Sequence, residues 1–148
     1  MSAASHPITS PEASGEFIES QPIAAAVILY AGTLAAANAA GNLVPAADTV
    51  GLVVLGRVQS NTLDSVFDNT SGAAGDLVAT LKRGSFVLAN STVHPVTQAN
   101  LGRVVYVEDN QTVAASSTHS IPAGILIGFL SGDPTLPIVD TRVAASLA

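Results

Sequence analysis

The sequence predicts an all-β domain, a small β-barrel or β-sandwich with an extended N-terminal arm. Two observations carry this expectation. Short apolar, β-branched runs recur along the chain, among them "GLVVLGRV", "RVVYVED" and "GILIGFL". Clusters of Gly, Asn, Asp and Ser separate them at short intervals, as the turns of a sandwich or barrel require. No internal repeat of solenoid period is visible. The 148 residues suffice for one domain, which at this size buries roughly 70% of the surface its unfolded chain exposes.

Residues 1–22 read as an arm. Pro7, Pro11 and Pro22 punctuate it, Ser, Thr and Glu fill it, and Ile8, Phe17 and Ile18 stand out as apolar. One reading is a tail that touches nothing. The other is an extended segment that orders on a neighbour, with Ile8, Phe17, Ile18 and the adjoining Ile23 as partner-binding anchors. Fully extended, such an arm reaches about 70 Å at about 3.3 Å per residue. Its prolines exclude helix. The β-domain is then expected over 23–140 and a C-terminal tail over 141–148.

Within 23–41, alanines favour helix, while the Val27, Ile28, Leu29, Tyr30 run favours strand. The apolar stretch 23–37 is 15 residues long, short of the roughly 20 that a membrane-spanning helix needs. The segment is read as strand, turn near 38–41, and a short strand into "NLVPA". "GLVVLGRVQS" fits a strand buried on both faces. "DNTSGAAGD" (68–76) is turn chemistry and reads as a mobile loop. Beyond it the apolar residues fall on odd positions (Leu77, Ala79, Leu81), then on even ones (Phe86, Leu88). One inserted residue moves every later side chain to the other face. Gly84 therefore marks a bulge or tight bend, and 77–89 is a bent strand or a hairpin. Residues 91–102 connect, with one helical turn near 97–101 that Thr97 would cap. "RVVYVED" is a strand, "DNQT" a turn, and "VAAS" an antiparallel return. In "IPAGILIGFLSG", strict alternation puts Ile125, Ile127 and Phe129 on one face, and Gly124, Leu126 and Gly128 on the other. One more short strand precedes the tail.

Composition narrows the function. Charged residues are 11% of the chain and hydrophobic ones 48%, against a usual charged share of about 25%. Such a chain hides more surface than one domain can hide alone, which points to a partner or self-association. The net charge of −6 with five Lys and Arg lacks the clustered positive charge of a nucleic-acid footprint. The absence of cysteine excludes disulfides and thiolate chemistry. The N-terminus carries Glu12, Glu16 and Glu19 in place of the positive region of a signal peptide. The sequons at Asn69, Asn90 and Asn110 are accordingly read as chance matches.

No catalytic constellation emerges. A phosphate-binding loop needs G-x-x-x-x-G-K-[ST] opening a helix, but Gly72 and Gly75 are followed by Asp76 and a strand pattern. His6, His94 and His119 lie apart in the sequence and are read as exposed loop residues. Glu108 and Asp109 are strand neighbours that point to opposite faces, and Asp109 is better placed to cap the following turn. The serines lack a nucleophile elbow. The expectation is a protein that is not an enzyme, with no cofactor and no metal.

Four blocks in order do resemble a known family. They are "LYAGTLAAANAAGNLVPA", "GRVQSNTLDSVFDNTSGAAGD", "KRGSFVLANSTVHPVTQANLG" and "VVYVEDNQTVAAS", lying within roughly residues 23–130. The set is similar to the capsid decoration (cement) proteins of tailed bacteriophages. The chain departs from that pattern at its end, "LPIVDTRVAASLA", where members often carry a "GVWV"-like strand, and in "NTLDSVF", which is longer than the usual link. The resemblance implies a structural virion protein, made in the host bacterial cytoplasm. It would sit on the outer surface of the capsid as a homo-oligomer, expected as a trimer, bound across major capsid protein subunits, with no nucleic acid and no membrane as partner. It also implies that "SGAAGD" is a connecting loop, placed at a subunit contact where small residues permit close approach. A carbohydrate- or host-surface-binding β-module of a phage particle is the alternative. That alternative wants exposed aromatics in a chain with four Phe and two Tyr. A small hydrolase is the third reading, and the missing constellation argues against it.

Overall fold

The computed structural model describes residues 16–60 and 65–148. The described residues are all-β, with thirteen strands in three sheets and one short helix. The strands are β1 (Phe17–Pro22), β2 (Ile28–Tyr30), β3 (Leu34–Ala37), β4 (Leu43–Pro45), β5 (Val53–Val58), β6 (Val66–Asp68), β7 (Val78–Lys82), β8 (Ser85–Val87), β9 (Ala89–Asn90), β10 (Val104–Val107), β11 (Thr112–Ala114), β12 (Pro122–Phe129) and β13 (Pro137–Asp140); the helix is α1 (Ala144–Leu147). One sheet has the order β1-β7-β5-β3-β4, the second β8-β13-β12-β10-β11-β9, and β2 pairs with β6 as a ribbon. All pairings are antiparallel except β9 with β11.

The two large sheets face each other as a sandwich. Leu34, Ala36 and Val54 from the first meet Val105, Val107, Val113, Leu126 and Val139 from the second in the main core. The opposite face of the first sheet is covered by the ribbon. There Ala35, Val58, Ala79 and Leu81 pack with Leu29 and Phe67 in a smaller core. Strand β3 is thus buried on both faces, which explains its alanines: small side chains let two layers approach one strand. The helix propensity of those alanines is outweighed by this double burial.

Irregular pairing reconciles the strand patterns with these layers. Between β3 and β5 the register slips at Ala35/Ala36. Val54 therefore faces the main core, while Leu55 and Val58 serve the smaller one. Gly56 sits at that bulge because a Cβ there would meet the Lys82 carbonyl oxygen at 2.5 Å. The strand expected to be buried on both faces does serve both cores, with half-buried positions between the buried ones.

A second slip, between Leu126 and Gly128 of β12, overturns the expected grouping of Ile125, Ile127 and Phe129. Ile127 is extruded and about half exposed, 49%, whereas Leu126 and Phe129 both reach the main core. One extra residue puts an even and an odd position on the same side.

The phase flip across "KRGS" is a corner where the chain leaves one sheet for the other. β7 pairs with β1 and β5, and β8 pairs with β13. The bent-strand reading of 77–89 holds, and the hairpin does not. Thr141, 1% exposed, pins the bend. Its Oγ1 donates to the Gly84 carbonyl at 2.9 Å, and the Gly84 N–H donates back to it at 3.2 Å.

Two domain boundaries move. Residues 17–22, assigned to the arm, form β1 and pair with β7 from Phe17↔Lys82 to Pro22↔Val78. Residues 141–148, assigned to a tail, form a helical cap in which Thr141 and Ala144 are buried. The cap closes the sandwich between β5 and β12. Among the described residues no helix is long and apolar enough to cross a membrane.

Candidate functional site

The four predicted anchors separate. Ile8 lies outside the described residues. Ile23 is fully buried, at 0% exposure, in the smaller core. The anchor expected at Ile23 is thus a core residue that no partner reaches in the folded chain. Ile18 is half-buried against the same core. Phe17 is half-buried beneath Lys82, whose Nζ lies 5.7 Å from the ring centroid. These residues fasten β1 to its own domain.

The glycine loop is closed on itself. Asn69, 2% exposed, donates through Nδ2 to the carbonyls of Ala24 (2.9 Å), Ala73 (3.0 Å) and, at longer range, Ile23 (3.4 Å). The Asp76 carboxylate accepts the Ala73 N–H at 2.8 Å, and the Gly72 N–H goes to the Asn69 carbonyl at 3.1 Å. A Cβ at Gly72 would run into Asn69 Oδ1. The N–H groups of Gly72, Ala73, Gly75 and Asp76 are already occupied, and a carboxylate stands among them. The loop expected to be mobile is tied by these bonds to the start of the domain. Asn69 is a structural linchpin and no surface acceptor for a glycan. Asn90 acts similarly, bonding the backbone of Val96 and the carbonyl of Pro134.

Other sequence candidates also serve local structure. Asp109 accepts from the Gln111 N–H at 2.9 Å and forms the expected turn. Asn100 Oδ1 accepts the Thr97 N–H at 2.8 Å, so the helical turn is secured from its third residue. The Ser91 hydroxyl donates to Glu108 at 2.7 Å and accepts the N–H groups of Val93 and His94. At 3% exposure it is poorly placed as a nucleophile. Burial acts to raise the Asp48 carboxyl. The N–H groups of His119 and Thr118, together with the His119 ring, outweigh it and hold the group below its ordinary value. Among the described residues no group of three or more His, Asp and Glu side chains could hold a metal ion.

Two further surface features stand out. An apolar groove of about 470 Å³ is walled by Pro95, Val96, Phe129 and Pro134. A polar cleft of about 490 Å³ opens at the corner between the sheets, lined by Glu16, Lys82, Arg83, Gly84, Ser85, Phe86 and Arg142. Its back is a cross-strand row, with Phe17 opposite Lys82 and Lys82 opposite Arg57. Arg57 stacks its guanidinium 4.4 Å from the centroid of Phe86. Arg57 Nε is buried without a hydrogen-bond partner among the described residues. Lys82 lies 3.2 Å from Glu16. Arg142 grips Asp140 through two nitrogens, at 2.9 and 3.3 Å. The Arg142 side chain holds the Asp140 carboxyl below its ordinary value, against a smaller opposing effect of burial. Pairs this exposed contribute about 0–1 kcal/mol each, so fold stability alone does not account for gathering them here.

This corner was missed by sequence reasoning. The adjacent Lys82 and Arg83 were visible, but Arg57 and Arg142 join them only through strand pairing and the C-terminal cap. Comparison with protein-family models, curated proteins and solved structures finds no match.

Proposed function

We propose that this chain is a structural virion protein that decorates and cements the outside of a bacteriophage capsid by binding across major capsid protein subunits. The observation that carries the reading is the ordered set of four sequence blocks, because their polar and small residues are the ones that build the frame. "LAAANAAGNLVP" supplies the doubly buried β3 and its turn, where Asn38 Oδ1 accepts the N–H groups of Ala40 and Asn42. "DNTSGAAGD" supplies the Asn69 linchpin. "KRGSFVLANS" supplies the corner and Asn90, and "VEDNQT" supplies the Asp109 turn. A resemblance confined to such positions concerns the scaffold.

Surface composition also supports an assembly role. Tyr30, Val50, Val66, Val78, Val93, Leu101, Ile127 and Leu130 are exposed apolar residues on a body poor in charge. Self-association, expected as a trimer, hides part of that surface. The twofold dimer is commoner among soluble oligomers in general, and the trimer rests on the resemblance. The carbohydrate-binding alternative gains little, because Tyr30 is the one aromatic residue in the exposed class.

The arm in this reading is residues 1–16, with Ile8 its remaining candidate anchor. The experiment is reconstitution. Purified protein is added to heads assembled from a major capsid protein of the same genome, and bound copies are counted. Saturable binding with a higher melting temperature of the heads is expected, together with a self-associated species in light scattering. Heads that bind none of it overturn the proposal. Deleting residues 2–15 then separates an arm from a tail, since the deletion leaves β1 intact.

A further inference from the structure

The two outer faces of the sandwich differ. The ribbon covers that of the first sheet and forms the smaller core with it. On the second sheet, residues paired across strands share a face and successive residues alternate. Leu126 and Val139 pair on the core side, so the rows Val87↔Ile138 and Ile125↔Val104 point outward, with Ile127 and Tyr106 in line with them. None of these six residues belongs to either core, and Val87 and Ile127 are 43% and 49% exposed. The chain has a net charge of −6, yet Asp140 is the one charged residue in these rows, and Arg142 grips it.

The bulge gives this face a shape. It pushes Ile127 into water, which forfeits the gain from burying an isoleucine and brings no contact with either core. The next residue, Gly128, stands opposite Ile138, and a Cβ there would meet nothing within 4 Å. A knob therefore stands beside an open hole. We infer that a second copy of this chain docks on this face, with Ile127 of one copy seated over Gly128 of the next. A knob and a hole side by side provide the self-complementarity that a contact between identical chains requires. The contact closes with two copies or, about a threefold axis beside the bulge, with three. Charge selects the same partner. Copies of an acidic chain repel one another, and they approach at least cost where neither carries net charge. A cationic partner gains nothing from a neutral face. The eight residues of β12 and the four strands β8, β13, β12 and β10 span about 26 Å by about 14 Å. That is short of the roughly 800 Å² per partner of a standard stable interface, so the association is weak and rises with concentration. The inference rests on the self-association proposed above and gives it a surface, whereas binding to heads is read in a separate experiment.

The test uses the absence of cysteine from the chain. Ile127→Cys places one thiol on the face, and a disulfide forms only where two Cα atoms come within about 7 Å. Under mild oxidation, Ile127→Cys is expected to run mainly as a linked dimer. Val50→Cys, in a loop outside the face and 76% exposed, should show only the background of random collision. Sedimentation velocity of the unaltered protein, from about 5 µM to about 500 µM, should show association that grows with concentration. Ile127→Asp should weaken it at least about tenfold, and Val87→Asp on the edge strand should weaken it as well. Tyr30→Ser on the ribbon should leave it unchanged. Thermal melts confirm that each variant folds. Association that survives both Ile127→Asp and Val87→Asp overturns this inference and leaves self-association to another surface. Equal linking of Ile127→Cys and Val50→Cys, or equal loss with Tyr30→Ser, overturns it too. A protein that stays monomeric throughout overturns both the surface and the self-association, without touching the test on heads.

Discussion

Two glycine-containing stretches lie a few residues apart, "SGAAGD" and "KRGS", and they end in opposite roles. In the first, the adjoining buried Asn69 ties three carbonyls and Asp76 takes an amide of its own loop. In the second, one buried hydroxyl, Thr141, secures the backbone, while the charged side chains line an open cleft. Glycine and polar residues in a turn are therefore ambiguous by themselves. What separates the two is where the closing group comes from: a side chain beside the loop in the first, and a side chain of the C-terminal cap in the second.

The largest expected effect breaks the inward loop. Asn69→Ala removes a buried amide and leaves buried carbonyls unpaired, so it should cost about 3 kcal/mol, read as a lower urea midpoint. A loss below about 0.5 kcal/mol, the level of an ordinary surface change, would show that the loop is not closed as described. At the corner, Thr141→Val keeps the shape and the Thr141 N–H bond to the Gly84 carbonyl, and removes the two side-chain hydrogen bonds to Gly84. It should cost about 1–2 kcal/mol, with Lys82 and Arg83 still on the surface. An unchanged urea midpoint would mean that the cap does not lock the bend.

Acid is expected to weaken both regions by a smaller amount. Asp68 is held below its ordinary value by the Thr70 hydroxyl and N–H, Asp133 by the Thr135 N–H and hydroxyl, and Asp140 by Arg142. A carboxyl whose pKa is lower folded than unfolded contributes stability that is fully present above the unfolded value, about 3.9. That contribution disappears as the pH falls through the lowered folded value. Urea midpoints should therefore be level from neutral pH to about pH 5 and fall below about pH 4. A midpoint that rises on acidification would contradict this sign. The smallest expected change is none: EDTA should leave the melting temperature where it is, because Asp76 bonds an amide where a metal loop would offer it to an ion. A lower melting temperature in chelator would reopen the loop as a ligand site.

What the sequence made legible follows the range of the interactions involved. The Asp109 turn and the antiparallel return of β11 involve neighbours in the chain, so turn chemistry revealed them. The change of phase across Gly84 was legible because side chains alternate with period two. Its meaning was not, because β8 finds its partner in β13 some fifty residues later. The bulge at Ile127 carries no residue signature that distinguishes it from regular alternation. Ile23 looked like an anchor from its position beside the arm, and its burial depends on Leu29, Phe67 and Leu81. Thr141 and Gly84 lie 57 residues apart, so the cap resembled a tail. The basic corner was half visible, as two adjacent cations whose companions arrive from β5 and from the C-terminal turn.

The most direct measurement of the proposed role is a cryo-EM reconstruction of the intact particle. The account predicts density for this sandwich on the outer face of the head, seated over junctions between major capsid subunits, with copies clustered about a symmetry axis. A well-resolved head lacking that density, with the protein found elsewhere or absent from the particle, would contradict it.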